Sequence, residues 1–210
     1  MTFPEASRRR FLHAAAAAAP AAVLGTPAPA TAHAAGASAD PARNRERPSG
    51  NGEHWSGTWP DGLRDAVSEA MPVAVAWARG AHQPFGAVLV HTDTGDIAAG
   101  AGNTTERFGD RTAHAELDLL REAAAAGLRP ASYAVVSTAE PCAMCAGALV
   151  WAGVRAVAFG TSIAKLVSYG LPQIDLPFDE IVRRSPLPHL AVGRDVRPDL
   201  TDPLYKDLMR

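Results

Sequence analysis

The chain has 210 residues, with Lys+Arg 20 against Asp+Glu 22, 47% hydrophobic residues and two cysteines. That length holds one ordinary domain with a real core plus additional segments, which excludes both a disulfide-built secreted scaffold and a wholly disordered chain. Of the 44 Ala, 16 fall in the first 40 residues, so the apolar total overstates the core; the 18 Arg against 2 Lys read as genome composition.

The N-terminus reads as an address. Ser7-Arg8-Arg9-Arg10-Phe11-Leu12 is followed by an Ala-rich stretch to Leu24 and by small-x-small sites at Ala30-Thr31-Ala32 and Ala32-His33-Ala34. A basic segment, an apolar run of about 14 residues and a cleavage site make residues 1–34 a signal peptide, too short for a stable membrane anchor. The Ser-Arg-Arg-x-Phe-Leu string resembles a twin-arginine export signal, so the expected location is outside the cytoplasm of a bacterium, or the cytoplasm if the signal is not used. Cleavage after Ala34 leaves 17 basic against 21 acidic residues, a net charge of −4. Such a balance has no long-range attraction for phosphates, and nucleic acid is not the expected partner.

Residues 35–59 are Gly, Ser, Pro, Asn and charge without an apolar period, a flexible linker; the folded domain is expected over 60–210. Asp61 to Arg79 carries Leu63, Val67, Ala70, Met71, Ala74, Val75 and Ala78 on one helical face, with Pro72 placed to kink or split it. Phe85–His91 and Ile97–Gly102 make a hairpin around Thr92-Asp93-Thr94-Gly95-Asp96. Thr112 can cap a helix that Gly127 stops. Tyr133–Thr138 is a buried strand, Pro141–Trp151 a helix and Ala156–Gly160 a strand. Beyond Gly170 come a short helix at Asp179–Arg184, a strand at Leu190–Gly193 and a helix from Pro198. The alternation gives an α/β sheet with helices on its faces.

Two strings carry chemistry. His114-Ala115-Glu116 opens one helix, and Pro141-Cys142-Ala143-Met144-Cys145 opens another 28 residues later. Two thiols three residues apart share a helical face, and the positive helix end favours thiolates. A catalytic zinc site uses three protein ligands and leaves a position to water, which matches His114, Cys142 and Cys145 and frees Glu116 to move protons. Taken alone, the Cys pair also fits a redox dithiol, and a structural zinc site could recruit His82, His91 or His189.

The H-x-E … P-C-x-x-C arrangement is similar to that of the cytidine and deoxycytidylate deaminase superfamily, and within it to bacterial guanine deaminases and tRNA adenosine deaminases. The resemblance covers roughly Asp61 to Thr161 and includes Pro84-Phe85-Gly86-Ala87-Val88, Gly102-Asn103, Thr112-Ala113-His114-Ala115-Glu116 and Cys145-Ala146-Gly147-Ala148-Leu149. It implies a three-layer α/β/α fold with a mixed central sheet flanked by helices. It also implies hydrolytic loss of ammonia from a ring amine, with Zn2+ held by His114, Cys142 and Cys145 and Glu116 as the catalytic proton carrier. Asn103 and the backbone at Ala115 and Cys142 are then expected against the substrate ring, with Phe85 and Trp151 as further lining, and a homodimer as the assembly.

Phe85 and Trp151 match guanine-deaminase-like members, and the acidic balance agrees, so the expected substrate is a free nucleobase or nucleoside, with guanine first. A tRNA adenosine deaminase is the alternative, and it would need Arg107, Arg111, Arg183 and Arg184 in one patch. A non-catalytic zinc or redox C-x-x-C binding protein is the alternative of another class, and it would leave Glu116 dispensable.

Overall fold

The computed structural model describes residues 47–48, 52–185, 190–206 and 208. In chain order the elements are β1 (Arg47–Pro48), β2 (His54–Ser56), α1 (Leu63–Gly80), β3 (Gly86–His91), β4 (Ile97–Gly102), α2 (Thr105–Phe108), α3 (Ala115–Ala125), β5 (Tyr133–Ala139), α4 (Ala143–Ala152), β6 (Ala156–Thr161), α5 (Ile163–Ser168), α6 (Phe178–Arg184), β7 (Ala191–Arg194) and α7 (Pro198–Tyr205). A 3-10 turn, Pro130–Ser132, leads into β5. The strands form one sheet in the order β1-β2-β7-β6-β5-β3-β4. It is mixed: β5, β6 and β7 run parallel, and the remaining pairs are antiparallel.

Alternation along β3 builds the layers. Ala87 and Leu89 face a core shared with Ala115, Leu119 and Ala123 of α3, Ala146 and Leu149 of α4, and Phe178 and Val182 of α6. Val88 and Val90 face the other core, with Val67, Met71 and Val75 of α1. Successive side chains of a strand point to opposite faces, so a run of five buried residues in β3 means that both faces are covered. The result is three layers, α/β/α, as the resemblance implied.

Helix α1 buries Leu63, Val67, Ala70, Met71, Ala74, Val75 and Ala78, the face read from the sequence, and it runs unbroken through Pro72. Burying its large apolar side chains at about 1.5–3 kcal/mol each outweighs the roughly 3 kcal/mol that an interior proline costs. Pro72 is also on the exposed side, where the carbonyl it leaves unpaired can turn to water.

Three boundaries differ from the sequence reading. Residues 52–59, expected as the end of a linker, enter the fold: β2 pairs with β7, and Trp55 is 4% exposed with its ring over Gly193, the one residue type that leaves room there. A three-residue strand in a polar context is too short to show alternation. Thr112 does not cap α3, since its amide and hydroxyl both bond to Asp110 Oδ1 and His114 takes the N-cap position. Pro141 lies just before the N-cap Cys142 and is not the first residue of α4. The proposed signal peptide 1–34 and the linker up to residue 46 lie outside the described residues.

Candidate active site

Strand β5 is buried along its whole length between β3 and β6, and its C-terminal end delivers the chain to Cys142. Open α/β sheets place ligand sites outside the carboxyl ends of their parallel strands, and this end of β5 is such a place. Cys142 is the N-cap of α4 and His114 the N-cap of α3, so two helix N-termini converge. Their partial positive charge favours thiolate over thiol.

His114 Nδ1 is 3.6 Å from Cys142 Sγ and 3.6 Å from Cys145 Sγ. All three donor atoms lie within 4.8 Å of one another. The residues fit zinc: bonds of about 2.3 Å to sulfur and about 2.1 Å to nitrogen, meeting at a tetrahedral angle, put sulfur and nitrogen about 3.6 Å apart. Among the described residues this is the one cluster of three such donors, and neither His82 nor His91 is part of it. His189 lies outside the described residues. The structural-zinc alternative therefore gains no fourth ligand from His82 or His91.

Protonation follows from the packing. Cys142 accepts from the Cys145 thiol and lies against His114, and its own thiol is pulled down to about 4. Cys145 is fully buried and moves the opposite way, because it donates to Cys142 and is desolvated. His114 is raised by its contact with Cys142. Metal binding at such a cluster displaces the proton that Cys145 retains.

Glu116 sits in the first turn of α3 and is 6% exposed. Its Oε2 accepts from Cys145 Sγ at 3.6 Å and its Oε1 from Ser137 Oγ of β5 at 3.3 Å. Burial raises its carboxyl above the usual carboxylate range, so it is suited to holding a proton. Residues two apart in a helix point apart, yet His114 and Glu116 both reach the sulfurs because His114 is the cap, with extended backbone, and not a helical residue.

Asn103 directly follows β4 and is 7% exposed. Its amide donates to Phe85 O at 2.9 Å, and its Oδ1 accepts from the amide and hydroxyl of Thr105. The next amide, of Thr104, donates to Ala113 O, which ties this strand end to the turn carrying His114. Ala115 is fully buried at the start of α3. Phe85 is half-buried and packs on Tyr205, ring centroids 5.1 Å apart. Trp151 departs from the expectation that it lines the pocket: it is 73% exposed, in the last turn of the helix whose first turn holds the cysteines. The apolar side of α4 that packs inward is Ala146, Leu149 and Val150, which leaves Trp151 on the outside.

Two buried polar residues beside the site carry no sequence signal. Ser137 is embedded in a uniformly buried strand. Glu140, two residues before Cys142, accepts the amides of Ile163 at 2.8 Å and Phe178 at 2.7 Å, and so pins the starts of α5 and α6 to the cysteine loop.

Residues 64–161 match the cytidine and deoxycytidylate deaminase zinc-binding region. The chain is 41% identical over 100 residues to the chloroplastic tRNA(adenine(34)) deaminase of Arabidopsis thaliana, which is 47% of this chain and 7% of that protein. It is 38% identical over 102 residues to the tRNA-specific adenosine deaminase of Agrobacterium fabrum, 45% of this chain and 65% of that one. It thus spans less than two thirds of either relative. The fold is similar to that of a guanine deaminase from Nitrosomonas europaea, with a TM-score of 0.57 at 21% identity, covering 71% of this chain and 86% of that one. The likeness to the zinc-binding region of the cytidine and deoxycytidylate deaminases thus lies in residues 64–161, just under half of the chain.

Proposed function

We propose that the protein is a zinc-dependent hydrolytic deaminase of a free nucleobase or nucleoside, guanine first among them. The observation that carries this reading is the buried carboxyl of Glu116, 3.6 Å from a metal-type thiol and itself outside the three-donor cluster. His114, Cys142 and Cys145 would hold the metal, which would supply an acidified water as nucleophile. Glu116 Oε2 would take one proton from that water and give it to the ring nitrogen beside the attacked carbon, then take the remaining proton of the added hydroxyl and give it to the departing amine, which leaves as ammonia while the carbonyl forms. Ser137 holds Oε1, while the partner of Oε2 is the Cys145 thiol, whose proton metal binding would displace, so Oε2 is the oxygen left to work. The amide side chain of Asn103, the backbone at Ala115 and Cys142, and Phe85 face the ring.

The net charge of −2 supports a small substrate, since a polynucleotide site draws on a basic surface. The tRNA reading has its own support in the 38% identity to a tRNA-specific adenosine deaminase. Ammonia release by the zinc-loaded protein, from guanine, cytosine, adenine and their nucleosides and from an adenosine-34 tRNA, separates the two. Turnover of the tRNA alone overturns the small-molecule reading. Silence on all substrates, with zinc bound, favours a non-catalytic binding protein.

Export through a twin-arginine route is part of the proposal and rests on residues 7–34. Among the described residues no helix is long and apolar enough to cross a membrane. A homodimer is proposed through the outer face of α4, where Met144 and Trp151 are exposed on a helix without a charged residue. Light scattering on the wild type and on Trp151→Glu tests it: a monomeric wild type ends that proposal.

A further inference from the structure

The terminal helix α7 lies outside residues 64–161, yet it places its last residue beneath the proposed site. Tyr205 is fully buried, the largest such side chain among the described residues. Its hydroxyl donates to Thr138 Oγ1 at 2.8 Å. Thr138 Oγ1 also accepts from Gly86 N at 3.0 Å and donates to Gly86 O at 3.2 Å. A threonine hydroxyl has one hydrogen to give and two lone pairs to fill, so this oxygen is saturated. It stitches β3 to β5 where the backbone ladder ends, since the last registered pair is Ala87 with Ser137.

Thr138 and the Gly86 that it bonds are each one residue from the site. Thr138 follows Ser137, which bonds Glu116; Gly86 follows Phe85, whose carbonyl holds the Asn103 amide. The phenol ring stacks on the Phe85 ring at 5.1 Å with 32° between planes. Helix α7 is itself fastened to β6 by Thr161 Oγ1, bonded to Thr201 Oγ1 at 2.9 Å and to Asp202 Oδ1 at 2.8 Å. Lys165 Nζ reaches Asp202 at 3.3 Å. Thr161 and Thr201 are fully buried, so the helix is built into the core at a fixed height.

We infer that Tyr205 is a positioning residue of the deaminase site: through Thr138 and Phe85 it holds the Phe85–Asn103 edge of the pocket, and substrate affinity depends on it. This rests on the function proposed above. Tyr205 touches no reacting atom and acts through the residues that face the ring. The saturated hydroxyl makes the dependence specific, because removing the phenol oxygen leaves Thr138 with an empty acceptor position in a buried site.

The test uses the full, zinc-loaded chain and its Tyr205→Phe variant, which keeps the ring stack and loses the hydroxyl; Tyr205→Leu loses both. With guanine and guanosine as probes, Tyr205→Phe raises KM about tenfold and leaves kcat within about twofold. Tyr205→Leu raises KM further, and zinc content is the same in all three. An unchanged KM in Tyr205→Phe, with turnover intact, overturns the inference and leaves the deaminase reading standing. Amide hydrogen exchange gives a readout that needs no turnover. The Gly86 and Asn103 amides exchange about tenfold faster in Tyr205→Phe, while those of Leu89, Val135 and Val157 keep their rates. Equal acceleration across the sheet would mean that Tyr205 is only a core residue. If the wild type turns over neither probe, guanine falls as the first substrate, and the exchange pattern still decides whether Tyr205 holds this edge.

Discussion

Glu116 meets Cys145 across two different helices, its Oε2 3.6 Å from the sulfur, while its other oxygen is held by Ser137. The carboxyl therefore sits beside the donor cluster without belonging to it. Glu116→Gln keeps the size and burial of the side chain and removes its capacity to carry a proton. Expected are full zinc content, unchanged thermal unfolding and a loss of kcat of about 10²–10⁴-fold. Turnover at the wild-type rate would remove Glu116 from the mechanism.

Cys142→Ala takes away one of three donors and leaves two. Metal affinity should fall by more than about 100-fold, since even removing groups that only support metal ligands costs about 10–100-fold. Thermal stability should fall with it, because metal binding energy is also folding energy. Zinc analysis after dialysis, read beside a melting curve, checks both. A fully metallated Cys142→Ala protein would mean that the donors are assigned wrongly.

Trp55 belongs to the folded unit. Trp55→Ala empties a space between β2, β7 and α1 and should destabilise by about 3–5 kcal/mol in urea unfolding. A result near zero would return residues 52–59 to the linker of the sequence reading.

Gly86→Ala probes the contact between α1 and β3. A Cβ there would lie 2.3 Å from Ala74 O and 2.5 Å from Ala78 N, both backbone atoms that no rotamer change can move. Overpacking of this kind costs about 1–3 kcal/mol, and the backbone clash places this variant at the upper end. Chemical denaturation measures it. Wild-type stability would imply that the helix can lift from the strand at no cost.

The donor cluster was legible because its residues are chemically rare and closely spaced: His114, Cys142 and Cys145 have few other uses in that pattern. The face of α1 was legible because seven apolar positions repeat at helical steps over 18 residues. What sequence could not show was long-range. Ser56 and Val192 bond across 136 residues, and Tyr205 and Thr138 across 67. Ser137, Glu140 and Tyr205 look like ordinary strand, loop and helix residues until the sheet brings their partners near. Trp151 failed as a pocket residue for the opposite reason: an aromatic at the end of an all-apolar helix gives no periodic cue to which side is outside. Thr112 failed as a cap because Asp110, two residues earlier, offers its amide and hydroxyl a nearer acceptor.

The pairing of β2 with β7 also fixes an order of events during synthesis. Residues 86–161 hold neighbouring contacts, the hairpin and the β5-α4-β6 crossover, that can form as soon as they leave the ribosome. Trp55 emerges before any of them, and Gly193, over which its ring lies, emerges after all of them. The early strand therefore waits for its pairing partner until β7 has been made, and this edge of the sheet closes after the hairpin and the crossover. A chain released before β7 would carry its donor cluster and an open seam, a species that aggregates or is proteolysed in place of persisting as a partial enzyme.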